Sequence, residues 1–174
     1  MAQERIGAAT FQGNPLTLVG PELTVGTKAP GFTVLTVDLS SFNLSQTAGK
    51  ICLISVVPSI DTPVCDLQTR RFNQEASALG EGVAVLTVSM DLPFAQKRWC
   101  GAAGVDRISM LSDHRDASFG AAYGTLIKEL RLESRAIFVL DRNGILQHVE
   151  YVREITNHPD YDAALLAAQK AVRG

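Results

Sequence analysis

Two continuous apolar runs dominate the first half of the chain: 51–57 (Ile-Cys-Leu-Ile-Ser-Val-Val) and 83–89 (Val-Ala-Val-Leu-Thr-Val-Ser). Runs of this length and composition are typical of strands that are buried on both faces of a sheet. Between them, apolar residues recur at helical spacing from Cys65 through Phe72 to Leu79. Strand, helix and strand with short joints predict a βαβ unit, so we expect the two strands to be parallel.

Shorter patterns predict the remaining elements of one α/β domain over residues 1–174. A β-hairpin is expected before residue 24, because two short apolar stretches flank Gly13-Asn14-Pro15. Asp141-Arg-Asn-Gly144 is a strong hairpin turn, and a last helix is expected after Pro159. The other expected elements are strands at 33–38, 108–111, 136–140 and 145–152, a turn-rich segment at 40–49, and helices at 94–103, capped by Asp91, and 117–123.

Composition narrows the possible partners and locations. The formal net charge of −2 gives no reason to expect nucleic acid or an anionic membrane as a partner. No apolar run approaches the roughly 20 residues that span a bilayer. The N-terminal residues Met-Ala-Gln-Glu-Arg-Ile-Gly lack the layout of a secretory signal, so a cytoplasmic location is expected.

Cys65 follows the first buried strand in a setting that can activate a thiol. Pro58 ends the strand, and Thr62 with Pro63 forms a helix-start signal, a hydroxyl at the N-cap before a proline at the first helical position. Cys65 then falls in the first helical turn, where free backbone N–H groups and the helix dipole stabilise a thiolate. The helical wheel places its sulfur in a shallow pocket against the core. Spacing alone leaves an inert core thiol as an alternative.

The other candidate residues carry weaker signals. Three cysteines without a Cys-x-x-Cys pair favour transient redox chemistry over a disulfide scaffold or a zinc site. Cys100 lies on the flank of its predicted helix and is expected nearer to solvent than Cys65, whereas Cys52 is expected to be a buried, inert thiol. The histidines stand at no metal-ligand spacing and are expected to be structural or surface residues: His114, His148 and His158. The acidic residues Asp113, Asp116 and Glu133 are expected to be solvated loop charges.

Two sequence blocks resemble a known family. Pro58-Ser-Ile-Asp-Thr62-Pro-Val-Cys65 matches the Pro-x-x-x-Thr-x-x-Cys motif of the peroxiredoxins. Asp91-Leu-Pro-Phe-Ala-Gln-Lys-Arg-Trp-Cys100-Gly resembles the thiol peroxidase subfamily, a group of atypical two-cysteine peroxiredoxins, and the similarity covers nearly the whole chain. The resemblance implies a thioredoxin-like fold with a central mixed β-sheet flanked by helices and an extra N-terminal β-hairpin.

The resemblance also implies roles for five residues. Cys65 is the expected peroxidatic nucleophile, and Cys100 is the expected resolving thiol that closes an intramolecular disulfide with it. Pro58 is expected to shield the sulfur and Thr62 to hydrogen-bond the thiolate and the peroxide. Arg135, which directly precedes the strand at 136–140, matches the family's catalytic arginine.

The implied function is reduction of hydrogen peroxide and organic hydroperoxides, as antioxidant defence, without a bound cofactor. The expected partners are a thioredoxin-type reductant and a second copy of the chain in a homodimer. Because the two cysteines begin separate helices on either side of a strand, we expect the first turn of the Cys65 helix to unwind before the disulfide closes. Arg131 is the alternative candidate for the role of catalytic arginine that the resemblance gives to Arg135.

Two other functions remain open. A thioredoxin-type disulfide oxidoreductase is disfavoured by the missing Cys-x-x-Cys pair. A peroxide sensor or a holdase is the alternative outside enzymes, and catalytic turnover with peroxide would distinguish an enzyme from either.

Overall fold

The computed structural model describes residues 2–174, which form two β-sheets and four α-helices. The strands are β1 (Glu4–Phe11), β2 (Asn14–Val19), β3 (Thr33–Thr36), β4 (Ser41–Asn43), β5 (Ile51–Val56), β6 (Val83–Ser89), β7 (Ser109–Ser112), β8 (Leu126–Ile127), β9 (Ala136–Leu140) and β10 (Leu146–Tyr151). The helices are α1 (Pro63–Leu79), α2 (Pro93–Ala103), α3 (Ser118–Tyr123) and α4 (Tyr161–Arg173), and a 3-10 turn covers Leu44–Thr47.

The larger sheet is mixed and has the strand order β10-β9-β5-β6-β7-β3-β4. β5 and β6 pair in parallel, with Ile51 opposite Val83, so the predicted βαβ unit with α1 as its crossover is confirmed. β9 runs antiparallel along the other side of β5. The predicted N-terminal hairpin is formed by β1 and β2, and β8 extends it to a separate three-stranded sheet.

The core lies on both faces of the larger sheet, as the apolar pattern of β5 predicts. One face packs against aromatic residues from the β3 side, α3 and β9: Phe32, Phe119, Tyr123 and Phe138. The other face packs against apolar residues of α1 and α4: Phe72, Leu79, Ala164, Leu165 and Ala168. Burial of each such large side chain contributes about 1.5–3 kcal/mol. The sheet is therefore a rigid base for the segments that leave its strand ends.

Helix α2 differs from its sequence prediction in two respects. The residue at its N-cap is Leu92, and the carboxylate of Asp91 bonds to another segment, so the prediction of Asp91 as the cap is wrong. Cys100 lies in the C-terminal part of α2, where its carbonyl accepts the N–H of Gly104, so the expectation that both cysteines begin helices is wrong for Cys100.

Two acidic residues are buried against expectation. Asp113 and Glu133 are 2% and 0% exposed, whereas Asp116 is exposed as predicted. Asp113 accepts the backbone N–H groups of Phe119 and Gly120 at 3.0 and 2.8 Å. The polar loop sequence predicted that both side chains would be exposed to solvent. In the structure, α3 packs over their carboxyl groups. Among residues 2–174, no helix combines the length and apolar character needed to cross a bilayer.

Candidate active site

The pairing of β5 with β9 brings Cys65 and Arg135 together. Val56 at the end of β5 lies opposite Ala136 at the start of β9. Arg135 directly precedes Ala136, so it lies beside the point where the chain leaves β5 on its way to Cys65. Its Nη2 group donates a hydrogen bond to the Sγ atom of Cys65 at 3.2 Å. Two residues 70 positions apart in the sequence therefore share one site.

Arg135 is held by one acceptor from α1 and one from the segment that follows β10. Its Nε group donates to the carbonyl of Ile155 at 2.9 Å, and its Nη1 group donates to Oε1 of Gln68 at 2.8 Å. Gln68 is in turn fixed by a 2.7 Å hydrogen bond from its Nε2 to the Ser55 hydroxyl on β5. Gln68 is a part of the site that was not predicted from the sequence. The available signal was its position three residues after Cys65, a polar side chain on the buried side of α1.

The Cys65 sulfur contacts a buried positive charge. Arg135 is only 2% exposed, and its three acceptors are two neutral oxygens and the sulfur, none of them a carboxylate. A buried cation without a counter-charge costs several kcal/mol, which an ionised thiol in contact with it offsets. The alternative Arg131 is exposed, in a turn with a backbone φ of +53°, and does not share this environment.

Cys65 is more buried than the predicted shallow pocket. Its exposed fraction is 0%, and it packs with Val57, Ile60 and Met110. The predicted start of α1 is otherwise confirmed, with Thr62 at the N-cap and Pro63 at the first helical position. Because the sulfur is covered, a ligand from solvent reaches it only after some of the covering residues move.

Pro58 and Thr62 lie in the segment between β5 and α1. Pro58 is buried, and Thr62 is exposed. The Thr62 hydroxyl donates to the carbonyl of Ser59 at 3.0 Å and does not cap the backbone of α1. The structure thus brings Cys65 and Arg135 into contact, while the hydroxyl of Thr62 has a backbone acceptor instead.

Asp91 anchors this segment from the neighbouring strand. Its carboxylate accepts the Ser59 hydroxyl at 2.9 Å, the Ile60 backbone N–H at 2.9 Å and the Ser89 hydroxyl at 2.6 Å. The segments after β5 and β6 meet because parallel neighbours end at the same edge of a sheet. That topology was the available signal for Asp91, which the sequence analysis assigned to α2 alone.

The three thiols have different surroundings. Cys100 is partly buried and packs against the apolar cluster that contains Cys65, and both thiols are free. It is more exposed than Cys65, as predicted, and burial raises the pKa of its thiol. Cys52 is fully buried, and burial raises its pKa to about 12, so it stays protonated as expected of an inert core thiol. The residues described, 2–174, contain no cluster of three His, Cys, Asp or Glu side chains that could bind a metal ion.

Comparison with known proteins agrees with this geometry. The Redoxin family model matches residues 24–165. A thiol peroxidase of Halalkalibacterium halodurans is 60% identical over 96% of this chain and 100% of its own length, and one of Bacillus subtilis is 58% identical over 94% and 98%. The crystal structure of a peroxiredoxin-like protein from Aquifex aeolicus superposes with a TM-score of 0.88 at 39% identity, covering 95% of this chain and 98% of that one.

Proposed function

Because the chain belongs to the thiol peroxidases of the Redoxin family and reduces peroxides with a thiol, we propose that Cys65 is the attacking thiol and Cys100 the resolving thiol. The observation that carries this proposal is the 3.2 Å hydrogen bond between the buried Arg135 and the Cys65 sulfur. It joins the nucleophile to a fixed positive charge, which is what attack on a peroxide oxygen requires.

The first step is transfer of one oxygen atom to Cys65. The thiolate attacks one oxygen of the hydroperoxide, the O–O bond breaks, and the leaving alkoxide or hydroxide takes up a proton to become an alcohol or water. Negative charge spreads from sulfur to the two oxygens in the transition state, and Arg135 and the first-turn N–H groups of α1 stabilise it. The Thr62 hydroxyl binds the peroxide once it rotates away from the Ser59 carbonyl, and Pro58 limits access of water.

The second step is closure of a disulfide. The Cys65 sulfenic acid condenses with the Cys100 thiol, which forms the S–S bond and releases water. Both cysteines lie within helices, so the first turn of α1 unwinds, together with the end of α2, to bring the sulfurs into bonding range. Cys52 takes no part, since its buried thiol stays protonated.

The cycle closes with an external dithiol. A thioredoxin-type reductant attacks the Cys65–Cys100 disulfide, and its own two thiols become the disulfide. The enzyme thus works without a bound cofactor, on hydrogen peroxide and organic hydroperoxides. We further propose a homodimer, to which the exposed Leu92 and Phe94, 53% and 67% accessible, are the natural contributors. A cytoplasmic location remains a prediction.

Peptide mapping tests the pairing of the cysteines. Reduced protein is treated with one equivalent of hydroperoxide, its remaining thiols are alkylated, and the digest is analysed by mass spectrometry without reduction. We expect one cross-linked peptide pair that contains Cys65 and Cys100, with Cys52 alkylated after denaturation. A cross-link that involves Cys52, or a disulfide between two chains, would refute the assignment of Cys100.

A further inference from the structure

A hydrogen bond joins the residue next to Cys65 to the residue next to Cys100. Asp66 directly follows Cys65, and Trp99 directly precedes Cys100. The indole Nε1 of Trp99 donates to Oδ1 of Asp66 at 2.9 Å. This hydrogen bond connects the first turn of α1 with the C-terminal half of α2, the two segments that the disulfide would join.

Arg70 completes this contact. Its Nε group donates to the second carboxylate oxygen of Asp66 at 2.8 Å, and its guanidinium lies 5.4 Å from the centre of the Trp99 ring. Its Nη1 group also reaches the carbonyl of Ala103 at the end of α2, at 3.4 Å. We call Asp66, Arg70 and Trp99 the helix clasp.

The clasp opposes the movement that disulfide closure requires. The backbone N–H of Asp66 donates to the carbonyl of Thr62 at 3.0 Å and belongs to the turn that carries Cys65. When this turn unwinds, Asp66 moves with it. The bond from Trp99 to Asp66 must then break or follow the movement, because Trp99 is held by α2 and by the apolar cluster around Cys65.

We propose that Asp66 and Trp99 are positioning residues that hold Cys65 in the folded site and so set the ratio between disulfide formation and further oxidation. This inference rests on the proposed function, because it needs a Cys65 sulfenic acid and a Cys100 resolving thiol. While the clasp is closed, Arg135 keeps the reacting sulfur aligned with incoming peroxide. When the clasp opens, the sulfur leaves Arg135 and becomes accessible to Cys100.

Two reactions compete for the Cys65 sulfenic acid. Condensation with the Cys100 thiol forms the disulfide and releases water. In the folded site, the deprotonated sulfenic acid instead attacks a second hydroperoxide, which breaks its O–O bond, leaves an alcohol or water and yields a sulfinic acid. A dithiol reductant does not reverse the sulfinic acid, so each delay in opening increases the irreversible loss of enzyme under excess peroxide.

The expected effect is moderate, because the clasp is partly exposed. The Asp66 side chain is 30% accessible and that of Arg70 is 42%. A hydrogen bond to a charged group in such a position shifts an opening equilibrium by about three- to tenfold. Removal of the indole N–H should therefore accelerate disulfide formation by about that factor.

The test compares Trp99→Phe, Asp66→Ala and the double variant with wild type. Trp99→Phe keeps an aromatic ring against Arg70 and loses only the indole donor, whereas Asp66→Ala removes the acceptor. Glu75→Ala is the matched control, because Glu75 pairs with Arg71 at the same helical spacing and at 3.2 Å without contact to α2. Acid quenching and mass spectrometry give the rates of sulfenic acid and disulfide formation and the sulfinic fraction at rising peroxide.

We expect both single variants to close the disulfide about three- to tenfold faster and to need correspondingly more peroxide for half-conversion to sulfinic acid. The double variant should match Asp66→Ala, because that substitution has already removed the bond that Trp99→Phe breaks. The proposal would be refuted if both single variants formed the disulfide at the wild-type rate. It would also be refuted if the acceleration in the double variant were the product of the two single accelerations.

Hydrogen exchange separates the clasp from the proposed function. In the reduced protein, Trp99→Phe should accelerate exchange of the Asp66 amide by the same factor, while amides in the middle of α1 stay unchanged. This readout needs no disulfide. Faster exchange with no Cys65–Cys100 cross-link in any variant would leave the clasp as a conformational contact and refute Cys100 as the resolving thiol. Unchanged exchange with a normal cross-link would refute the clasp alone.

Discussion

At the scale of single residues, the site is built around a buried arginine whose guanidinium contacts the sulfur of Cys65. Arg135 is fixed by the Ile155 carbonyl and by Gln68, and its remaining donor faces Cys65. A donor held in this way does not have to be reoriented when charge develops on the reacting atoms. Fixed donors therefore accelerate reactions more than mobile donors do. Arg135 should therefore contribute mainly to the peroxide step and little to disulfide closure.

The matched pair Arg135→Gln and Arg131→Gln tests this contribution. We expect Arg135→Gln to lower the second-order rate constant for oxidation of Cys65 by about 10²- to 10³-fold, the usual loss when one charge-stabilising donor is removed. Arg131→Gln should remain within about twofold of wild type, because Arg131 is exposed. Single-turnover stopped-flow kinetics measures both. Equal losses in the two variants would mean that Arg135 has no special role.

The sequence predicted the contacting residues Cys65 and Arg135 but not the residues that hold them in place. The motif from Pro58 to Cys65 predicted the first residue of α1 correctly, because a hydroxyl residue followed by proline is a typical helix start. Gln68 and Asp91 were not assigned to the site, because each acts through a partner that is remote in sequence. Their roles depend on which strands are neighbours, and local pattern does not carry that information.

At the scale of elements, α1 was predictable and the orientation of α2 was not. β-Branched runs and the Cys65–Leu79 spacing identify β5, α1 and β6 directly. At α2, hydrophobicity alone would bury Leu92, yet Leu92 is 53% exposed and the polar Gln96 is fully buried. Gln96 is buried because its amide nitrogen bonds the Ser89 hydroxyl and the Leu111 carbonyl at 3.0 and 2.9 Å. A polar side chain whose hydrogen bonds are satisfied in the interior can thus be buried in place of an apolar one, and hydrophobicity alone then predicts the wrong buried face of the helix.

Trp99 gives a direct optical test of helix unwinding. It is the single tryptophan of the chain, and its side chain extends from α2 to Asp66 of α1. Disulfide closure should break its bond to Asp66 and expose the ring, so we expect the emission maximum to shift to longer wavelength when peroxide is added and to return with dithiol. In Cys100→Ser the sulfenic acid forms without closure, and the maximum should stay in place. A shift of equal size in Cys100→Ser would argue against unwinding as its cause.

At the scale of the whole molecule, two acidic residues, Asp113 and Glu133, are buried beside α3. Glu133 is fully buried, accepts the Thr125 hydroxyl and lies next to Asp113. The close approach requires glycine at position 120, since a Cβ atom there would lie 2.7 Å from the Glu133 carboxyl group. Burial, followed by the proximity and negative charge of Asp113, raises the pKa of Glu133 well above its usual value. Sequence pattern could not reveal this pair, because both residues stand in polar loops.

The pair makes stability depend on pH. With a raised pKa, folded Glu133 holds a proton that the unfolded chain has released, so the free energy of unfolding falls as pH rises from about 4.5 through the raised pKa. The slope is at most about 1.4 kcal/mol per pH unit for one proton. Glu133→Gln stays neutral and should lose this decline, so its melting temperature relative to wild type should increase from pH 5 to pH 8. Glu81→Gln, at an exposed site, is the control. Parallel curves for Glu133→Gln and wild type would show that Glu133 is ionised.

The most direct test of the central claim is peroxide consumption with thioredoxin, thioredoxin reductase and NADPH, in wild type, Cys65→Ser and Cys100→Ser. We expect continuous turnover by wild type, no reaction by Cys65→Ser, and no sustained turnover by Cys100→Ser, which consumes one equivalent of peroxide to form the sulfenic acid and at most a second to form the sulfinic acid. Continued turnover by Cys100→Ser would contradict the two-cysteine cycle. Peroxide reduction by Cys65→Ser at the wild-type rate would contradict the site itself.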